Sequence, residues 1–164
     1  MRNLRFLAAF VGVLFAFGGN GFSEALPDGG ITLQEMAQIL TAKGYKAEIK
    51  VAKDDSEETR ILSAAEGYHF AIYFYAMSDE GRAKNIQYCL SFDARSDITN
   101  DKALDWNRHY RYGRMYLNDK GEPFLEMDRD LEHGCTTEAV DNDLERWFSL
   151  ISTFAKFLFE KNGT

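Results

Sequence analysis

Residues Asp105–Leu131 read DWNRHYRYGRMYLNDKGEPFLEMDRDL and contain the end of one helix, two strands and the turn that joins them. The predicted strands are Arg114–Asn118 and Pro123–Asp130. The four residues Asp119–Glu122 lie between them and include Gly121, which suits the positive φ of a hairpin turn. The stretch carries no catalytic or cofactor motif. It therefore predicts part of an antiparallel sheet next to a helix.

Helical periodicity predicts three helices, which span approximately Leu33–Lys43, Thr99–His109 and Thr137–Lys161. The first helix has the clearest start, because Thr32 and Glu35 form the sequence pattern of a capping box. The last helix has the strongest apolar stripe, and Thr136 or Thr137 is its predicted cap.

Between the first two helices the apolar period changes to that of strands, at Tyr45–Val51, Thr59–Ala64, Tyr68–Met77 and Ile86–Asp93. The segments between these strands are too short for helical crossovers, so the strands form an antiparallel meander. The predicted fold class is therefore α+β, with an antiparallel sheet in the order α-β-β-β-β-α-β-β-α.

The N-terminus has the pattern of a secretory signal peptide. Arg2 and Arg5 precede the apolar run Leu7–Phe17, and small residues lead to a candidate cleavage site between Ala25 and Leu26. The alternative is a transmembrane anchor, but the run is shorter than the roughly 20 apolar residues that a spanning helix needs. We therefore predict a signal peptide at 1–25, a single domain at 26–164, a periplasmic or secreted location and no membrane span after cleavage.

The charge of the chain argues against two classes of partner. The full chain has a formal net charge of −7 at pH 7, and removing Arg2, Arg5 and Glu24 with the signal peptide changes it to −8. A surface of this sign repels nucleic acid and anionic membranes. The sequence thus predicts no nucleic-acid partner.

Two cysteines, Cys89 and Cys135, are candidates for a disulfide, because an isolated pair in an exported chain favours oxidation. Neither lies in a C-x-x-C motif, so redox catalysis is not indicated.

A metal site is one alternative function. Asp101, Asp105 and His109 follow each other at helical spacing in the second helix, so three potential ligands share one face. A solvated helix face explains the same pattern. The sequence shows no fourth ligand, and no metal or other cofactor is predicted.

A second alternative is carboxylate-based hydrolysis. Glu126, Asp128 and Asp130 alternate along one strand and place three carboxylates on one face. A charged sheet face that discourages aggregation is the simpler explanation. The chain has no recognised nucleophile, phosphate-loop or zinc-protease motif. A non-enzymatic protein is therefore predicted.

The strands contain more aromatic residues than a minimal core needs. Either they all pack inside, or one sheet face bearing Tyr73 and Tyr75 contacts another chain. This second interpretation predicts an unidentified protein or peptide partner. A third alternative is a small apolar ligand, held in a closed pocket lined by residues such as Phe74 and Trp147.

The stretch quoted first, with its surroundings, resembles the YbjN family of small bacterial domains described as sensory transduction regulators. The likeness is clearest over Ile98–Leu158 and is carried by Trp106–Arg108, Tyr112–Leu117, Asp119–Gly121, Leu125–Asp128 and Gly134. The helix and meander before this region agree with the family in order but have no sharp motif.

The resemblance implies a fold like that of type III secretion chaperones, in which helices flank a curved antiparallel sheet and two copies often form a dimer. It implies a regulatory module without enzyme activity, and it supplies no catalytic residues. A signal peptide and two cysteines set this chain apart from the family pattern.

Overall fold

The computed structural model describes residues 25–26, 30–54 and 57–160, and it confirms the α+β fold class. Within these residues, three helices accompany seven antiparallel strands. The strands are β1 (Ile31–Thr32), β2 (Glu48–Lys50), β3 (Arg60–Ala65), β4 (Tyr68–Met77), β5 (Arg82–Ser91), β6 (Arg114–Leu117) and β7 (Pro123–Asp130). The helices are α1 (Leu33–Ala42), α2 (Asn100–His109) and α3 (Thr137–Phe159).

The main sheet has the order β2-β3-β4-β5-β7-β6, and every recorded pairing is antiparallel. The predicted meander and the predicted hairpin thus join through β5 and β7 into one sheet. The short strand β1 pairs with the start of β5, beyond the end of β7. The predicted order is confirmed, and β1 is an addition to it.

Each helix starts at a capping residue. Thr32 and Glu35 form the predicted capping box, in which the Thr32 side chain accepts from the Glu35 N–H and the Glu35 carboxylate accepts from the Thr32 N–H. Thr99 caps α2, and Thr136 rather than Thr137 caps α3. These side chains satisfy N–H groups that have no partner inside the helix.

All three helices lie on one face of the sheet. Trp147 of α3 contacts the rings of Phe70 in β4 and Tyr88 in β5. The ammonium of Lys43, the residue that caps the C-terminus of α1, pairs with Asp141 of α3 at 2.9 Å, so the two helices are neighbours. The core lies between this layer of helices and the covered face of the sheet.

Helix α2 is fixed to the edge strand β6 by side chains of the stretch quoted first. Asn107 donates to the Met115 carbonyl at 2.8 Å and accepts from the Met115 N–H at 2.9 Å. One turn away, the buried Trp106 indole donates to the Gly113 carbonyl at 2.9 Å. The helix therefore cannot rotate relative to the hairpin without breaking these bonds.

The signal-peptide prediction falls mainly on residues 1–24, which lie outside the described residues. Both residues of the candidate cleavage site are described. Ala25 forms an isolated bridge with Thr136, and the buried Leu26 donates its N–H to the Cys135 carbonyl at 2.8 Å. Among the described residues, no helix has both the length and the apolar character needed to cross a bilayer.

Candidate partner-binding face

The face of the sheet opposite the helices is the candidate functional site, and it is called the open face below. Side chains of a strand alternate between the two faces, so the neighbours of the core residues point to this side. The open face includes Leu62, Ala71, Tyr73, Tyr75, Cys89, Tyr116, Phe124 and Glu126. In the part of the chain that the structure describes, no helix packs against it.

Tyr73 and Tyr75, the predicted partner-contact residues, both lie on the open face. Their rings stack with centroids 6.4 Å apart, and the Arg60 guanidinium lies 5.9 Å from the Tyr73 ring centre. Tyr75 is 38% exposed, although its strand β4 lies in the middle of the sheet. Desolvation raises the pKa of Tyr75 to about 12, further above physiological pH than that of a free tyrosine.

A groove of about 630 Å³ runs across the open face beside Tyr73. Its floor includes Ala71 and Cys89, and its walls include Leu62, His69 and Phe124. Small side chains in the floor and larger ones at the sides give a concave, mainly apolar surface. Such a surface can receive a projecting side chain of another protein.

The far side of the open face carries a network centred on Glu126, which is only 7% exposed. The Glu126 carboxylate accepts from the Arg114 guanidinium at 2.6 Å and from the Tyr116 hydroxyl at 2.8 Å. Tyr116 also stacks on Phe124 with centroids 5.2 Å apart. These contacts hold the second aromatic pair of the face in a fixed orientation.

The predicted carboxylate stripe is part of this face, and its side chains are bound by neighbouring groups. Glu126 and Asp128 both bind the Arg114 guanidinium. Asp128 also accepts from Gln87, and Asp130 accepts from the Glu132 N–H. Each carboxylate thus has a structural partner, and this arrangement favours the interpretation as a charged sheet face.

The residues of the alternative metal site lie on the exposed surface of α2. His109 and Asp105 pair at 3.1 Å, with side chains that are 66% and 57% exposed. The described residues contain no group of three or more His, Cys, Asp or Glu arranged to hold a metal ion. Phe74 and Trp147, named for an apolar pocket, are instead packed in the core.

The predicted disulfide is absent from the structure, in which Cys89 and Cys135 are both free thiols. Cys89 lies on the open face, one residue after Tyr88 on the core side. Cys135 packs against the core, and its sulfur lies 3.6 Å from the Arg129 guanidinium. The two thiols are thus on opposite sides of the sheet, which the spacing of cysteines in a sequence does not reveal.

We expect Cys89 in the folded protein to react slowly with iodoacetamide at pH 8. Burial, and then the nearby Glu126 carboxylate, raises its pKa to about 12, so little reactive thiolate is present. The rate should rise about tenfold per pH unit up to that value, as long as the fold persists. Mass spectrometry of Cys135→Ser, quenched at intervals, measures this rate.

The same reagent tests the free-thiol state. Unfolded protein that has not been reduced should gain two carbamidomethyl groups, and Cys89→Ser should gain one. Labelling that appears only after reductant is added would show a disulfide and contradict the structure.

A comparison with known protein families identifies the family of the chain. A family model named YbjN, described as "Putative bacterial sensory transduction regulator", matches residues 32–160.

The chain belongs to the YbjN family.

The match begins at the capping residue Thr32 and ends directly after α3, so it contains nearly the whole described fold. No curated protein and no solved structure matches the chain. The YbjN description names a regulator rather than an enzyme.

Proposed function

We propose that this YbjN chain is an exported, non-enzymatic regulatory module that binds a protein partner on its open face. The observation that carries the proposal is a wide sheet face with two ordered aromatic pairs, which no helix of the described residues covers. Aromatic side chains held in place lose little entropy on binding and are enriched in interface cores. The description of the family as a regulator supports the same conclusion.

The groove indicates which kind of partner fits. Ala71 and Cys89 leave space between Tyr73 and Phe124, so an apolar or aromatic side chain of the partner can insert there. Arg60 at the side of Tyr73 favours an acidic group next to the inserted residue. We therefore propose a folded protein or peptide with an exposed apolar anchor flanked by acidic residues.

Export rests on the signal-peptide pattern of residues 1–25. Cleavage after Ala25 would turn the Leu26 nitrogen into the α-ammonium group, which can still donate to the Cys135 carbonyl. The processed end would then stay attached to the fold. Cell fractionation should recover the protein from the periplasm or medium with the mass of residues 26–164, and an unprocessed cytoplasmic protein would contradict export.

A photo-crosslinking experiment in the native cell tests partner binding. A benzophenone amino acid in place of Tyr75 should give one discrete crosslinked product, because this residue lies on the open face. The matched control carries the same amino acid in place of Leu104, which is 48% exposed on α2 and lies outside the open face. The control should give no such product.

A second substitution tests whether the crosslinked product depends on the aromatic pair of the open face. Tyr73→Ser, made in the Tyr75-labelled protein, should reduce the product by about tenfold, because it removes one ring of the stacked pair. A product with twice the mass of the chain would identify a second copy as the partner. Equal crosslinking from Tyr75 and Leu104, or a product that Tyr73→Ser leaves unchanged, would refute the proposal.

A further inference from the structure

Strand β7 is longer than the edge strand that covers it. β6 pairs with β7 only from Pro123 to Glu126, where the last partner is Arg114. β7 continues to Asp130 and stays paired with β5 on its other side. Among the described residues, no strand continues β6 along this second half of β7.

A hydrogen bond at the end of β7 shows which backbone groups this leaves uncovered. Leu131 donates its N–H to the Lys84 carbonyl at 2.8 Å, so odd-numbered residues of β7 turn their backbone groups toward β5. Even-numbered residues therefore turn theirs to the opposite side. Asp128 and Asp130 lie past the end of β6 and present N–H and C=O groups at the edge.

A cleft of about 380 Å³ adjoins this edge, between β7 and the first half of α3. It is called the edge cleft and is lined by Tyr112, Asp128, Arg129, Asn142, Asp143 and Arg146, among others. Tyr112 has a left-handed φ of 72° just before β6 starts. The chain thus turns away from β7 at this residue and leaves the cleft open.

The edge cleft contains a buried carboxylate between two arginines. Asp143 is 5% exposed, its Oδ1 lies 2.5 Å from Arg146 Nη1, and its Oδ2 lies 3.2 Å from Arg129 Nε. The second contact lacks the alignment of a hydrogen bond, so both of its buried atoms keep unused bonding capacity. The Arg146 guanidinium also lies 4.6 Å from the Tyr112 ring centre, which fixes its position.

Two guanidiniums face one carboxylate inside the edge cleft, because Arg129 and Arg146 both contact Asp143. The Asp128 carboxylate at the rim of the cleft is bound by Arg114, which it shares with Glu126. Arginines placed in this way, with free N–H donors, match the geometry of a second carboxylate.

We propose that the edge cleft binds an extended peptide segment that carries a carboxylate. The segment continues the line of β6 and bonds with the backbone of Asp128 and Asp130, and its carboxylate pairs with Arg129 and Arg146. The acidic group comes from the C-terminus of the segment or from an Asp or Glu side chain. This site adjoins the open face at Asp128 and Asp130, but it lies on the helix side of the sheet edge and does not depend on the function proposed above.

Three pools of synthetic decapeptides with degenerate internal positions test this site. One pool has a free C-terminal carboxylate and no acidic side chain, the second has an amidated terminus and one Glu, and the third is amidated without any acid. Immobilised protein should retain one of the acidic pools at least about tenfold better than the acid-free pool. The pool that is retained identifies the source of the carboxylate.

Two arginine variants make the test specific to the cleft. Arg146→Gln should lose the preference for the acidic pool, whereas Arg111→Gln, which changes another arginine beside Tyr112, should keep it. If circular dichroism shows that Arg146→Gln is unfolded, Arg146→Lys replaces it. Lysine keeps the charge but lacks the planar fork, so retention should fall partially.

Hydrogen exchange locates the bound peptide. The amides of Asp128 and Asp130 should exchange more slowly when the retained peptide is present, because they become strand donors. Three results would each overturn the proposal. The first is that no pool is retained, and the second is that the acid-free pool is retained as well as the acidic pools. The third is that an acidic pool is retained equally by the Arg146 variants and does not slow the exchange of the two amides.

Discussion

Replacing Trp106 by alanine is expected to lower the free energy of unfolding by about 3–5 kcal/mol, the usual cost of removing a buried tryptophan. The Trp106 ring is fully buried, stacks on Tyr110 at 4.1 Å and meets the rings of Phe154 and Phe157 edge-on. The substitution also leaves the Gly113 carbonyl without its donor. It therefore removes the main packing contact between α2 and α3 and one of the bonds that join α2 to the β6–β7 hairpin.

Urea unfolding followed by circular dichroism measures this loss without depending on tryptophan fluorescence. Trp147 provides a matched control, because its ring is also fully buried but its indole N–H has no hydrogen-bond partner among the described residues. Trp106→Phe should therefore be more destabilising than Trp147→Phe, by about 1 kcal/mol for the lost bond. Equal losses in the two phenylalanine variants would show that the bond to Gly113 contributes nothing.

The sequence predicted the elements that have strong local signals. β4 and β7 have the predicted limits Tyr68–Met77 and Pro123–Asp130, and each helix starts at its predicted first residue or one residue after it. In these segments the period of apolar residues and the capping side chains favour the same structure. Agreement between local preference and tertiary packing is what makes such elements predictable.

Other boundaries were wrong because they depend on distant partners. β1 has only two residues and exists because they pair with Ala83 and Arg82. β5 starts at Arg82 rather than Ile86. The residues before Ile86 are mostly polar, but they still pair with β1 and β7. Periodicity cannot identify a strand whose pairing partner supplies the reason for it.

The two surfaces differ in how much the sequence revealed. Alternation along β4 placed Tyr73 and Tyr75 together on one face, which no helix of the described residues covers. The edge cleft gave no such signal, because Arg129 and Arg146 come from a strand and a helix that meet only in the fold. A cluster assembled from different elements has no spacing to detect.

Replacing Gly30 by alanine is the second change for which we expect a large loss, of at least about 3 kcal/mol in unfolding free energy. Gly30 has a φ of 109°, and a Cβ there would lie 1.8 Å from the Ala83 carbonyl oxygen. Relief requires β1 to move off β5, which exposes the fully buried Ile31. It also disturbs the Gly30 carbonyl, which accepts from the Arg82 guanidinium at 2.8 Å.

Gly44→Ala is the control that distinguishes the steric clash at Gly30 from the cost of a positive φ alone. Gly44 has a φ of 85° just after α1, but a Cβ there would meet no atom within 4 Å. Gly44→Ala should therefore cost only about 1 kcal/mol, the strain of placing alanine in a left-handed conformation. Chemical denaturation of both variants gives the difference, and equal losses would mean that β1 moves away from β5 without penalty. A loss confined to Gly30→Ala instead shows that the β1–β5 pairing, which seats Ile31 in the core, is required for the stability of the whole fold.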